Sequence, residues 1–198
     1  MPEKKSKMPI VVLSIVNLIL VLAVQGLRIV PFYTGSHPSG NQPGTELLVF
    51  AGVSVGCALL FVIFCLLINK APGLNFIPEA ILIAYDIGYQ VYRSLEYGSM
   101  NMDFFVYGII FAGFVIVYGL AMTGKFGYSV AGRVLIIIFG VLRLAYVILN
   151  SIRFGAEIMN MTPTAAVSYV LNTIRGILIV ITIIMCVFHA AKRKPKAA

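Results

Sequence analysis

Charged residues are scarce in this sequence, and their scarcity excludes a soluble domain. Only 11% of the 198 residues are charged, whereas 60% are hydrophobic. A typical soluble domain is about a quarter charged and about half apolar. The composition therefore indicates an integral membrane protein embedded in the lipid bilayer, with apolar spans that use nearly the whole chain.

Residues that carry catalytic or metal chemistry are also few. The three cysteines lie in apolar stretches without a CxxC pair, and His37 and His189 fall near opposite ends of the predicted topology. We therefore expect no disulfide, no metal, no haem and no other cofactor. The sequence has no Walker A loop and no H-E-x-x-H motif. Gly52-Val-Ser-Val-Gly56 matches G-x-S-x-G, but an apolar helix lacks the strand-to-helix turn of that motif. We interpret its glycines as helix packing and expect no enzyme.

The net charge of +8 does not indicate nucleic-acid binding. Ten of the fifteen basic residues lie at the termini or next to two short loops, and no basic patch is interleaved with aromatic residues. Basic residues in those places are topology signals, because positive loops stay on the cytoplasmic side. The opposite loops contain no lysine. We therefore predict cytoplasmic N and C termini in a multi-pass protein of the plasma (cytoplasmic) membrane.

The apolar runs predict an all-α membrane protein with six transmembrane helices. The expected spans cover about residues 9–30, 46–69, 75–97, 104–122, 129–154 and 164–189, between basic tails at 1–8 and 190–198. Four of these spans carry an amide three residues before an arginine. The pairs are Gln25 and Arg28, Gln90 and Arg93, Asn150 and Arg153, and Asn172 and Arg175. The pattern is explained either by three repeated helical hairpins or by coincidence in a biased composition.

The third span has a polar face. Glu79, Asp86, Gln90 and Arg93 follow spacings of seven, four and three, which place them on one side of a helix. A charge in hydrocarbon costs about 2.5–3.5 kcal/mol on insertion scales. We therefore expect this face to turn toward other helices or a water-filled cavity. The second and fourth spans are nearly all apolar and contain small residues. We predict that they lie outside, toward lipid, around a polar inner set formed by the other four spans.

Arginines near the middle of spans need partners. Arg143 and Arg175 lie at that depth, where Asp86 is the only acid expected. One interpretation is a structural ion pair with Asp86, and the other is an arginine that binds an anionic ligand. Glu79 lies nearer the cytoplasm. It could form a proton path with Asp86, but we favour an ion pair with Arg133 at similar depth.

Arginines near the outer ends of spans allow the same two interpretations. Arg28, Arg93 and Arg153 suit bidentate binding of a carboxylate or phosphate. Alternatively, they extend to lipid headgroups or pair with outer acids. Those acids are Glu46, Glu96, Asp103 and Glu157.

These features predict a small transporter or a substrate-capturing membrane subunit. Its ligand would be a small anionic solute in an arginine-containing interior open to the outside. The expected ligand-binding residues are Arg28, Asp86, Gln90, Arg93, Arg143, Tyr146, Asn150, Arg153, Asn172 and Arg175. Glu79 and Asp86 are the candidates for proton coupling. The alternative is a non-catalytic accessory subunit whose polar faces contact partner membrane subunits. An enzyme acting on lipid is a third reading without a nucleophile or metal to support it.

Overall fold

The computed structural model describes residues 6–33, 44–97, 102–124, 130–153 and 162–191. This part of the chain is helical and contains no strand. The long helices are α1 (Met8–Tyr33), α2 (Thr45–Leu67), α3 (Ile77–Tyr97), α4 (Met102–Met122), α5 (Val130–Arg153) and α6 (Pro163–Ala191). A short 3-10 turn, Pro72–Leu74, lies between α2 and α3.

Four helices are long and apolar enough to cross a membrane, which is the character of a helical membrane protein. They are α1, α2, α5 and α6. The apolar part of α4, Val106–Met122, is a shorter stretch. Helix α3 is not among the four, because four charged side chains interrupt it: Glu79, Asp86, Arg93 and Glu96.

Helix ends differ from the predicted ones by a few residues. Helix α1 continues through Pro31 to Tyr33, although the sequence predicts a loop from residue 31. A proline in the last turn removes only one backbone hydrogen bond, so the helix tolerates it there. Helix α4 ends at Met122, and Gly124 follows with φ of 76°, a conformation that glycine adopts without steric strain. Most of both predicted basic tails and of the predicted loop at 31–45 lies outside the described residues.

The six helices pack as a ring in chain order. Each helix from α1 to α5 contacts the next, and α6 closes the ring against α1. Helix α4 also contacts α6 across the interior. The prediction that α2 and α4 lie outside a polar inner set is therefore wrong. Helix α4 supplies Phe114 and Tyr118, both fully buried, because an apolar helix can fill a core as well as face lipid.

The glycines that allow close helix packing are not those of the G-x-S-x-G match. A Cβ added at Gly52 or Gly56 would meet nothing within 4 Å, so these two residues make no close helix contact within the described part of this chain. At Gly113 an added Cβ would collide with the ring of Phe139. At Gly140 it would lie 3.0 Å from Ile184 Cδ1. Close approach therefore occurs where α5 meets α4 and α6.

The beginning of α1 and the end of α6 lie at the same end of the bundle. Lys7 Nζ donates a hydrogen bond of 2.5 Å to the carbonyl oxygen of Leu66, near the end of α2. His189 Nε2 lies 3.0 Å from Asn69 Oδ1. We call this end the terminal end. Its half of the interior is filled by an apolar core whose buried members include Phe61, Cys65, Ile68, Phe114, Tyr118, Met122, Ile136, Ile183, Cys186 and Val187.

Candidate binding cavity

A cavity of about 360 Å³ occupies the half of the interior away from the terminal end. Small-molecule sites in proteins have volumes of this order. All six helices contribute to its walls. The lining residues are Gln25, Arg28, Phe50, Leu82, Ile83, Asp86, Tyr107, Phe111, Arg143, Tyr146, Val147, Asn150, Ser151, Tyr169, Asn172, Thr173, Arg175, Gly176 and Ile179. The apolar core closes the bundle beneath it.

Seven of the ten predicted ligand-binding residues lie around this one cavity. They are Arg28, Asp86, Arg143, Tyr146, Asn150, Asn172 and Arg175. The other three, Gln90, Arg93 and Arg153, are exposed and do not line it. Helical spacing predicts which residues share one side of a helix, but it does not predict how far along the helix a cavity extends. The cavity extends only part of the way along α3 and α5, so these three residues do not line it.

Arg143 forms a buried ion pair with Glu79. Its Nη2 atom lies 2.5 Å from Glu79 Oε1, and the two side chains are only 6% and 5% exposed. The predicted pair of Glu79 with Arg133 is therefore wrong. The guanidinium of Arg143 also lies over two aromatic rings, with its Cζ atom 4.5 Å from the centroid of Phe111 and 5.0 Å from that of Phe114. Arg143 Nε and Nη1 have no hydrogen-bond partner among the described residues.

Arg175 lies between the main cavity and a second, much smaller one. The smaller cavity, of about 10 Å³, is lined by Asn17, Glu79 and Arg175 among others. Arg175 Nη1 donates a 3.4 Å hydrogen bond to Asn172 Oδ1, one turn earlier on α6. Its Nε has no hydrogen-bond partner in the described part of the chain. This guanidinium group is therefore incompletely satisfied.

Asp86 accepts a hydrogen bond from the hydroxyl of Tyr107 on α4. The predicted ion pair of Asp86 with a mid-span arginine does not form among the described residues, where Glu79 has that role. Three guanidinium groups thus lie around the cavity, from Arg28, Arg143 and Arg175, against the two carboxyl groups of Asp86 and Glu79. With all five groups ionised, one positive charge is in excess.

Beyond the cavity, the end of α3 that is away from the terminal end contacts α2 through polar groups. Tyr89 donates a 2.7 Å hydrogen bond from its hydroxyl to Glu46 Oε2. The guanidinium of Arg93 lies 6.0 Å from the centroid of the Tyr89 ring. The other acids considered as partners for outer arginines include Glu157 and the side chain of Asp103, which lie outside what the structure describes.

Several lining residues are absent from the predicted ligand-binding set. Gln25 is 4% exposed, and its Oε1 lacks a hydrogen-bond partner among the described residues. The hydroxyls of Ser151 and Thr173 lie 3.0 Å apart across α5 and α6. Ser151 directly follows the predicted site residue Asn150, and Thr173 directly follows Asn172. A prediction that took in a wider face of α5 and α6 would therefore have included both. Tyr107 was missed because α4 was assigned to the lipid side.

The cavity combines arginine donors with apolar and aromatic walls. Guanidinium groups in such surroundings bind carboxylates and phosphates through charge-assisted, bidentate hydrogen bonds. No known protein family, no curated protein and no solved structure matches this chain.

Proposed function

We propose that this chain is a small membrane transporter, or a substrate-capturing membrane subunit, that binds a small anionic solute in the main cavity. The observation that carries the proposal is the set of three arginines around one cavity. Of these three arginines, only Arg143 has a carboxylate partner among the described residues, and that partner is Glu79. Arg28 and Arg175 thus bring positive charge to the cavity without an ion pair in the described part of the chain.

Energetics favour a bound anion over a purely structural role. A guanidinium in a low-dielectric interior is costly unless it is paired, and ionisable groups at such depth commonly mark ligand or ion pathways. Arg175 Nε has no partner among the described residues. An anion between Arg28 and Arg175 would supply the missing acceptors and offset the excess charge.

The proposed topology has six spans, arranged as three hairpins, with both termini in the cytoplasm. The lysine distribution supports it, and so does the meeting of α1 and α6 at the terminal end. The cavity then faces the outside, as a capture site requires. Reporter fusions at residues 1 and 198 should both read cytoplasmic, and a reporter inserted near residue 38 should read external. A different pattern would reject this orientation.

Proton coupling is the proposed role of Glu79 and Asp86. Glu79 reaches the arginines of the cavity through its ion pair with Arg143, so it is placed to take up a proton together with a bound anion. Asp86 lines the same cavity and is bonded to Tyr107. Anion binding would then be accompanied by proton uptake.

The test is thermal unfolding of the detergent-purified protein at constant ionic strength with acetate, succinate, benzoate and inorganic phosphate. A ligand at 100 times its dissociation constant adds about 2.7 kcal/mol to stability. We expect at least one anion to raise the unfolding temperature. The effect should disappear in Arg175→Gln and Arg28→Gln, and it should persist in the control Arg93→Gln, which changes an exposed arginine outside the cavity.

An accessory role is the alternative function. A Cβ added at Gly52 or Gly56 meets no other atom of the described residues within 4 Å, so a partner helix could cover this part of α2. That role predicts no anion effect, and instability of the chain when it is purified alone. If no anion stabilises the protein, or if the effect survives in both cavity variants, the anion-binding proposal is rejected.

A further inference from the structure

Aromatic rings form one wall of the main cavity. Tyr107, Phe111 and Tyr146 make a cluster between α4 and α5, in which the ring centroids are 4.2, 5.7 and 5.8 Å apart. Phe50 and Tyr169 add rings from α2 and α6. Five of the nineteen lining residues are thus aromatic, against 12% of the whole chain. This enrichment requires an explanation that the arginines alone do not give.

Two of the three arginines and the three-ring cluster come from different helices. Arg28 and Arg175 come from α1 and α6, which are neighbours in the ring of helices. The three-ring cluster comes from α4 and α5. Arg143 joins the two surfaces, because its guanidinium lies over the face of Phe111. An anion whose charged group reaches Arg28 and Arg175 would therefore place its body against the rings.

The tyrosine hydroxyls are largely occupied by partners within the protein. Tyr107 donates to Asp86, and Tyr169 donates a 3.2 Å hydrogen bond to the carbonyl oxygen of Asn150. Such bonds fix the rings and leave their apolar surfaces, rather than their hydroxyls, for a ligand. Tyr107 and Tyr146 pack against the buried apolar cluster of Ile83, Phe111 and Val115. Like Tyr169, these two rings are only partly buried, and all three also line the cavity.

From this division we infer that the solute is an anion with a planar aromatic body. The inference rests on the proposed function and names the class of its ligand. Aromatic pairs in offset-stacked or edge-to-face arrangements are more stable than their buried area alone explains, which corresponds to about two- to tenfold in affinity. A saturated anion of the same charge and similar size fills the space but lacks that gain.

The experiment compares three matched probes on the detergent-purified full chain. 2-Naphthoate is planar and anionic, decahydronaphthalene-2-carboxylate is anionic but not planar, and 2-naphthamide is planar but neutral. The chain contains no tryptophan. Energy transfer from tyrosine to the naphthalene ring therefore reports binding of the two planar probes, and thermal unfolding reports all three. We expect 2-naphthoate to bind at least about fivefold more tightly than either other probe.

Two variants locate the effect. Phe50→Leu removes one ring from the cavity wall and should weaken 2-naphthoate about two- to tenfold, with little change for the saturated anion. Tyr92→Leu removes an exposed ring outside the cavity and should change the affinity of neither carboxylate.

Three results would overturn the aromatic inference and leave the anion site standing. They are equal affinity of the two carboxylates, tighter binding of the saturated carboxylate, and an equal loss of affinity for both carboxylates in Phe50→Leu. Failure of both carboxylates, or equal binding of the amide, would reject the aromatic-anion inference. The anion site itself would be rejected by a separate result, in which no anion of the wider panel raised the unfolding temperature.

Discussion

Glu79 and Arg143 form a buried ion pair, with 2.5 Å between Oε1 and Nη2, that links α3 to α5 across the intervening α4. Both side chains are almost fully removed from solvent. Taking two charges out of water is costly, so a pair at this position stabilises the bundle only while both partners are present. The same guanidinium lines the main cavity, so the pair connects helix packing with the proposed site.

The first prediction is that Glu79→Gln destabilises the protein strongly. Removing one member of a buried ion pair leaves the other charge uncompensated, at a cost of about 3–5 kcal/mol. The measurement is thermal unfolding in detergent, with Glu96→Gln as the control because Glu96 is exposed at the end of the same helix. The double variant Glu79→Gln, Arg143→Met should recover much of the loss. If Glu79→Gln destabilised the protein as little as Glu96→Gln does, the ion pair would not contribute to the stability of the bundle.

The second prediction concerns Asp86, which lines the cavity without an ion pair among the described residues. Asp86→Asn keeps an acceptor for the Tyr107 hydroxyl and removes a negative charge. Anion affinity should rise about tenfold, equivalent to about 1.4 kcal/mol, the size of a Coulomb interaction across a partly solvated site. Titration of the strongest anion from the panel checks this, with its neutral amide as control. Weaker anion binding would instead show that Asp86 accepts a hydrogen bond from the ligand.

Helical geometry predicted only part of the set of side chains that face the interior. The period of α3 placed Glu79, Asp86, Gln90 and Arg93 on one side. Glu79 is buried and Asp86 lines the cavity, whereas Gln90 and Arg93 are exposed. Pairing could not be predicted in the same way. Depth counted along the sequence matched Glu79 with Arg133 and Asp86 with either Arg143 or Arg175, but a long arginine side chain reaches more than one helical turn. The order of helices in space decides which acid it meets.

The assignment of α4 failed for a related reason. An apolar helix has the same composition whether its side chains contact lipid or other helices, since both surroundings are hydrocarbon. Only the packing of Phe114 and Tyr118 against neighbouring helices distinguishes the two environments. Tyr107 was consequently missed, although it lies on the same helix and bonds to Asp86.

The third prediction uses two glycines as a matched pair. Gly140→Ala places a Cβ 3.0 Å from Ile184 Cδ1 and 3.3 Å from Val180 Cγ1, so these two side chains of α6 must shift to make room for it. Such overpacking costs about 1–3 kcal/mol. Gly52→Ala meets nothing within 4 Å and should be neutral or slightly stabilising, because alanine is the better helix former. Thermal unfolding of both variants checks the prediction, and equal effects would contradict the α5–α6 contact.

The fourth prediction tests a buried polar contact between the α2–α3 connection and α4. The hydroxyl of Tyr118 donates a hydrogen bond to Asn75 Oδ1, and Asn75 Nδ2 lies 3.6 Å from Cys65 Sγ. Tyr118, Asn75 and Cys65 are all fully buried, so water cannot replace a lost partner.

Tyr118→Phe keeps the ring but leaves Asn75 Oδ1 without its donor, which should cost about 1–3 kcal/mol. Tyr33→Phe, at a tyrosine that is 69% exposed, should cost almost nothing. Both variants are compared by thermal unfolding. The double variant Tyr118→Phe, Asn75→Leu removes both polar groups, so it should be less destabilised than the sum of the single variants. Strict additivity would mean that the two side chains do not interact. A non-additive result would show that the hydrogen bond between Tyr118 and Asn75 holds the α2–α3 connection against α4, on the side of the cavity nearer the terminal end.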